Sequence, residues 1–186
     1  VMAVSFSGEP AYEIHVPNAS LFAAYSALRA AGTAHGLKLF GAHAVDSMRM
    51  EKGFLHWKAD ILTEFDPFET GLDRFVRLQK PDFVGKPALL ARADAGPRKR
   101  IVTLSLDSRD APAHGGASVM KDGAVVGTVT SGAWGHRTGK NIAYAFMEPD
   151  FSQEGQALTV DVLGADITAT IVPQALYDPQ MLLLRR

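Results

Sequence analysis

Cysteine is absent from the 186 residues. This excludes disulfides, thiolate zinc sites, iron–sulfur ligation and a cysteine nucleophile. An excess of either charge is also lacking: 19 basic against 20 acidic side chains leave a net charge of -1. That balance carries no electrostatic footprint for nucleic acid or an anionic membrane, and neither partner is expected. No apolar run approaches the roughly 20 residues that span a bilayer, and no secretory leader pattern opens the chain. The six histidines show no ligand spacing, so no metal site is expected. A Gly-x-Ser-x-Gly nucleophile elbow is missing as well. The stretch from Thr130 to Lys140 imitates a phosphate loop, but Lys140 is followed by Asn141 rather than Ser or Thr. A barrel loop is the plainer reading there, with Arg137 and Lys140 as residues that can meet an anionic ligand tail.

What is present is ordinary in bulk and informative in pattern. The hydrophobic fraction of 47% and charged fraction of 21% are those of a globular protein. The first residues, Val1-Met2-Ala3-Val4, enter a strand-like run at once, the pattern expected of a piece of a longer polypeptide. Residues 1–6 and 11–16 read as two strands around the turn Ser7-Gly8-Glu9-Pro10. Asn18 is a suitable N-cap for a following helix whose apolar face is Leu21, Phe22, Tyr25 and Leu28. A second helix is predicted over 42–51, stopped by Gly53. Residues 75–78 look strand-like, and 85–92 read as a short helix with Pro87 near its start.

Residues 93–100 are polar, with Gly96 and Pro97, and make the best linker. Beyond them the period changes from helical to alternating. Residues 99–107 alternate, Asp122-Gly123 is a strong two-residue hairpin signal, and Gly164-Ala165 marks a second hairpin. Five or six short strands with close turns predict a small antiparallel barrel or sandwich.

Strand alternation puts Glu13 mid-strand, on a face with Ala11 and His15. A solvated face explains it. A carboxylate accepting two hydrogen bonds from an amidine-like edge, such as a 2-amino-4-oxopteridine presents, also explains it. Asp46, Arg49 and Glu51 form a helical ion-pair face; alternatively, the planar fork of Arg49 grips a substrate carboxylate. His56-Trp57 sits in an irregular aromatic segment, either as core or as the lining of a pocket.

Ordered motifs then run along nearly the whole chain. Ser7-Gly8-Glu9-Pro10-Ala11-Tyr12-Glu13-Ile14 resembles a segment of folate-dependent aminomethyltransferases. Asp46-Ser47-Met48-Arg49-Met50-Glu51-Lys52-Gly53 is similar to their Asp-Ser-Leu-Arg-Leu-Glu-Lys-Gly helix. Asp66-Pro67-Phe68-Glu69-Thr70-Gly71-Leu72, Asp82-Phe83-Val84-Gly85-Lys86-Pro87-Ala88-Leu89 and Val126-Gly127-Thr128-Val129-Thr130-Ser131-Gly132 resemble further family segments. Val45 and the Gly53-Phe54-Leu55-His56-Trp57 run resemble the branch of dimethylglycine and sarcosine dehydrogenases rather than the glycine-cleavage T-protein.

The resemblance implies an α+β protein, the trailing part of an aminomethyltransferase folate-binding domain (1–95) followed by a small antiparallel β-barrel (98–186). It implies tetrahydrofolate as cofactor and one-carbon (aminomethyl) transfer as activity. FAD is implied only for a possible flavin domain preceding this segment in the same polypeptide, and a small N-methylated amine as the other partner. Glu13 falls on the glutamate that grips the pteridine ring. Tyr12, Ile14 and His15 flank it, and Phe6, Trp57 and Arg74 complete the implied folate-contacting set. Phe6 and Arg74 stand where the dehydrogenases carry tyrosines. The family's catalytic aspartate lies upstream of the matching region, so no catalytic residue is expected here. A folate-dependent demethylase of a sulfonium compound, or a folate-binding module without catalysis, shares the same scaffold. The implied compartment is the cytoplasm in a bacterium or the mitochondrial matrix in a eukaryote.

Overall fold

The computed structural model describes residues 1–184, so positions 185 and 186 of the expected barrel part lie outside the described residues. Six strands, β1 (Arg100–Leu106), β2 (Ser118–Lys121), β3 (Ala124–Gly135), β4 (Lys140–Met147), β5 (Ala157–Val162) and β6 (Ala165–Val172), close into a barrel. Their order is β1-β4-β3-β2-β5-β6, antiparallel throughout. Closure leaves no free sheet edge. Alternate residues point inward, so Leu104, Leu106, Val119, Val129, Ala143, Ala145, Val160, Ala169 and Ile171 form one buried cluster.

The Asp122-Gly123 turn joins β2 to β3 as expected, with both residues at positive φ. β3 is longer than its sequence suggests. Ser131 to Gly135 pair with Tyr144 to Lys140, so the expected loop over 130–140 is strand followed by a tight turn at 136–139. The backbone groups of Ser131–Gly135 find partners in β4, which outweighs the weak strand propensity of two glycines. Gly132 is needed there because a Cβ would collide with the Ala113 carbonyl.

The first half is helical and loop-rich. α1 (Asn18–Thr33), α2 (Ala42–Glu51) and α3 (Lys86–Ala95) are joined by irregular chain with a single 3-10 turn, Asp73–Phe75. Asn18 does not cap α1. The N-cap is Pro17, in extended geometry, and its carbonyl accepts from the Ser20 amide at 2.8 Å. The expected apolar face of α1 is not covered: Leu21, Phe22, Tyr25 and Leu28 are all exposed. Residues 75–78 do not form a strand: Phe75 closes the 3-10 turn, and Val76 is extended but no strand follows it. α3 runs three residues further than predicted, to Ala95, and stops at Gly96, where φ is positive.

Only α2 of the three helices is built into a core. Met50 joins Ile142 and Tyr144 of the barrel in a second buried cluster, flanked by Leu55, Ile101, Ala133 and Leu176. Each of those three side chains contributes about 1.5–3 kcal/mol by leaving water. The Tyr144 hydroxyl donates to the Met50 carbonyl at 2.8 Å, and Ser47 Oγ donates to the Trp134 carbonyl at 2.6 Å. Burial drives the Tyr144 phenol far above its ordinary pKa, so it remains a donor. Among the described residues, no helix is long and apolar enough to cross a membrane, and no group of acidic or imidazole side chains could hold a metal ion.

Candidate functional site

The segment carrying Glu13 is not the predicted hairpin. Residues 1–6 and 11–16 meet only at Met2 and Glu13, whose backbone groups exchange bonds of 2.8 and 2.9 Å. Between them residues 6–10 form a bend in which Gly8 is buried. Pro10 has no amide to give a ladder, and the turn's donors are taken locally: the Gly8 amide bonds Ser5 Oγ at 3.1 Å and the Glu9 amide bonds Ser7 Oγ at 3.3 Å. The pull on the turn then comes from the barrel side.

That pull centres on Arg137, in the β3–β4 turn. Its Nε donates to Glu51 Oε2 at 2.6 Å, Nη1 to Glu9 Oε1 at 3.1 Å, and Nη2 to the carbonyls of Ser7 at 3.1 Å and Met48 at 2.7 Å. Tyr177 packs on the guanidinium, 3.8 Å from Arg137 Cζ to the ring centroid, and donates its hydroxyl to Glu9 Oε1 at 2.6 Å. Glu51 is wholly buried and also accepts from the Arg137 and Thr138 amides, each at 2.7 Å. Burial pulls the Arg137 pKa down, but the Glu51 carboxylate outweighs it and the guanidinium stays charged. Hydrogen bonding to Glu9 holds the Tyr177 phenol above its ordinary value. Lys52 donates to Asp178 Oδ2 at 2.7 Å and keeps that carboxyl below its usual range. Gly8, at φ +80, rests on the Lys52 stem, where a Cβ would stand 2.7 Å from Lys52 Cγ.

A second buried network fixes the His56-Trp57 turn. Asp60 is fully buried and accepts from Arg49 Nη1 at 2.9 Å, Thr130 Oγ1 at 2.5 Å, Ser131 Oγ at 2.6 Å and the His56 amide at 2.8 Å. Neighbouring strand residues ordinarily face opposite ways. Here the pairing register shifts between Val129 and Ser131, and that bulge lets Thr130 and Ser131 reach the same carboxylate. The turn returns on itself through Asp60 and Ile61 amides bonded to the His56 carbonyl, with Lys58 at φ 68. Trp57 is left 64% exposed.

Arg49 therefore does not offer its fork to a substrate. It is 4% exposed and bound by Asp46, Asp60, Ser131 and the Phe54 carbonyl. Arg137 is likewise committed inward rather than presented to an anionic tail.

Of the seven residues implied for folate contact, Phe6 lies 6.0 Å from the His56 ring and 5.9 Å from Arg49 Cζ, which brings the first segment against the His56-Trp57 turn. Glu13 and His15 pair at 3.1 Å across an exposed surface. Tyr12 and Ile14 are exposed beside them. Arg74 is on the 3-10 turn, over the ring of Phe75 at 4.9 Å. Sequence reading did not single out Asp60, Ser131, Glu9 or Tyr177. The contacts that tie Asp60 to Thr130 and Ser131, and Glu9 to Tyr177, span 70 to 168 positions of the chain, and no local spacing announces them.

A six-stranded barrel capped by one buried helix, holding a carboxylate-bearing segment by a guanidinium clamp, defines an α+β architecture of a specific kind. Residues 1–80 match the GCVT N-terminal domain, and residues 99–178 match the glycine cleavage T-protein C-terminal barrel domain. The chain belongs to the aminomethyltransferase family of the glycine cleavage T-protein. It is 34% identical to mitochondrial dimethylglycine dehydrogenase of Homo sapiens over 174 residues, covering 93% of this chain and 20% of that one. It is 36% identical to an aminomethyltransferase of Saccharopolyspora erythraea over 173 residues, covering 92% and 47%. The crystal structure of the glycine cleavage system aminomethyltransferase T from Bartonella henselae superposes with a TM-score of 0.82 at 24% identity, over 97% of this chain and 48% of that one. The chain thus spans about half the length of the aminomethyltransferases it matches and a fifth of the dehydrogenase.

Proposed function

We propose that this chain binds tetrahydrofolate and serves one-carbon transfer from a small N-methylated amine, in a dehydrogenase-like or T-protein-like enzyme. We assign residues 1–95 to the folate-binding part and 98–186 to the barrel. The observation that carries the reading is the state of Glu13. Its carboxylate is 57% exposed, its one side-chain partner among the described residues is His15, and its backbone is fixed by the reciprocal bonds to Met2. A carboxylate with free lone pairs on a fixed backbone suits the paired N–H donors of a 2-amino-4-oxopteridine, a charge-assisted and directional contact.

Tetrahydrofolate, when bound, supplies the N5 and N10 nitrogens that accept the one-carbon unit. The chain's own residues bind and orient. Glu13 accepts from the pteridine edge, Tyr12 and Ile14 offer apolar surface, and Trp57 and Phe6 offer ring faces to an aromatic ligand. His15 pairs with Glu13 at 3.1 Å and helps orient its carboxylate. Proximity and orientation are the contribution such a half-site makes to rate. The flavin, in this reading, belongs to a separate domain of the same polypeptide, as the dehydrogenase relatives suggest.

A second reading has a specific observation behind it. Phe6 lacks a hydroxyl, and Arg74 stacks on Phe75 rather than offering a phenol. A folate-binding module that transfers no carbon fits those departures. Calorimetric titration of the full-length protein with tetrahydrofolate tests both, and assay of 5,10-methylenetetrahydrofolate formed from an N-methylated amine separates them. Absence of folate binding sinks both readings; binding without product leaves the module.

A further inference from the structure

We infer that Arg137 is a positioning residue for the folate-facing segment, through which the barrel sets the pose of Glu13. The inference rests on the folate reading above, and its first arm can be tested without it.

The geometry is unusually directed for a turn residue. All three guanidinium nitrogens are used, and they reach two separate pieces of chain: Glu51 and the Met48 carbonyl at the end of α2, and Glu9 and the Ser7 carbonyl in the first segment. Tyr177, in the segment that follows β6, supplies a third piece of chain. It stacks on the guanidinium and shares Glu9 Oε1 with it. The backbone there is tied down too, with the Leu176 and Tyr177 amides on the Glu51 carbonyl at 2.9 and 2.8 Å. Glu13 follows Glu9 by four residues and has no link of its own to the barrel among the described residues. Beyond its bond to His15, it is tethered by the Met2 bridge. The Glu9 carboxylate is therefore the handle, and Arg137 with Tyr177 the hand.

Arginine is specifically required. A lysine ammonium can satisfy Glu51, but it is a point charge and cannot also span to Glu9 and two carbonyls with a planar fork. Arg137→Lys should keep the Glu51 pair, and with it most of the fold, while releasing the segment. Glu9→Gln offers an independent cut. Glu9 is 40% exposed, and its change leaves the buried Arg137–Glu51 pair intact.

The test uses the full-length protein with wild type, Arg137→Lys, Glu9→Gln and Tyr177→Phe. Hydrogen exchange is followed at the Met2 and Glu13 amides and in β1 and β4, and tetrahydrofolate affinity is measured beside it. The expected result is faster exchange at Met2 and Glu13 in all three variants, with strand protection unchanged. Folate affinity should fall by about fivefold or more, while the melting temperature moves by no more than a few degrees. Unchanged exchange at Met2 and Glu13 overturns the inference, as does folate affinity within about twofold of wild type in Arg137→Lys and Glu9→Gln. If wild type itself binds no folate, the functional reading fails separately, and exchange alone decides whether the clamp holds the segment.

Discussion

Arg49 and Asp60 are paired at 2.9 Å inside the protein, with side chains 4% and 0% exposed. The pair is the keystone between helix, turn and barrel, because Asp60 also gathers Thr130, Ser131 and the His56 amide. Breaking one side strands the other. Arg49→Met leaves a buried carboxylate with neutral donors only and should cost about 3–5 kcal/mol by urea denaturation. The double variant Arg49→Met, Asp60→Leu should cost clearly less than the sum of the single changes. A loss below about 1 kcal/mol in Arg49→Met would show that the pair does not carry this role.

Glu69 makes stability depend on acid. Burial raises its pKa, but hydrogen bonds from Arg98 and from the Asp66 and Arg98 amides prevail, taking it from 4.5 to about 2. A carboxyl with a depressed folded pKa stabilises the protein above its unfolded value and loses that stabilisation as pH falls toward the folded one. The window here is pH 4.5 down to about 2. The contribution at neutral pH is on the order of 2 kcal/mol, reduced by the solvent around the exposed Arg98. Denaturant midpoints measured from pH 6 to pH 3 should fall more steeply in wild type than in Glu69→Gln. Parallel curves would contradict this.

Gly8 meets two constraints at once, a positive φ and the Lys52 stem beneath it. Gly8→Ala should cost about 1–2 kcal/mol for the left-handed backbone alone. It should also displace Lys52 from Asp178. The Lys52 displacement is visible as a rise in the Asp178 pKa by NMR titration, and an unchanged value would rule out the contact.

The barrel was legible because its evidence is local. Asp122-Gly123 needs only its two flanking strands, and the alternation of Leu104 and Leu106 is read within one strand. α2 was legible to its end residues, because the apolar stripe of Ala44, Val45 and Met48 and the Gly53 after it are also local signals. The bend of residues 7–10 was not, since it is held by Arg137 from the far end of the sequence. Gly8 and Pro10 mark a turn, but nothing nearby said where the chain would go. The long β3 was hidden by Gly132 and Gly135, which weaken strand propensity and are required by close neighbours. Arg49 looked available because Asp46 accounts for only one of its nitrogens. The others are claimed by Asp60 and Ser131, which meet it through a bulge that no alternation pattern predicts. For Glu13, strand period suggested a face, and the structure gives a single bridge with an exposed carboxylate.

The most direct test is the affinity of the full-length protein for tetrahydrofolate in wild type, Glu13→Gln and Glu13→Ala, by calorimetry. A hydrogen bond to a charged group is worth about 1.5–3 kcal/mol, so both variants should bind about tenfold or more weakly, with unfolding curves unchanged at this exposed site. Equal affinity in all three proteins would contradict the assignment of Glu13 as the pteridine anchor.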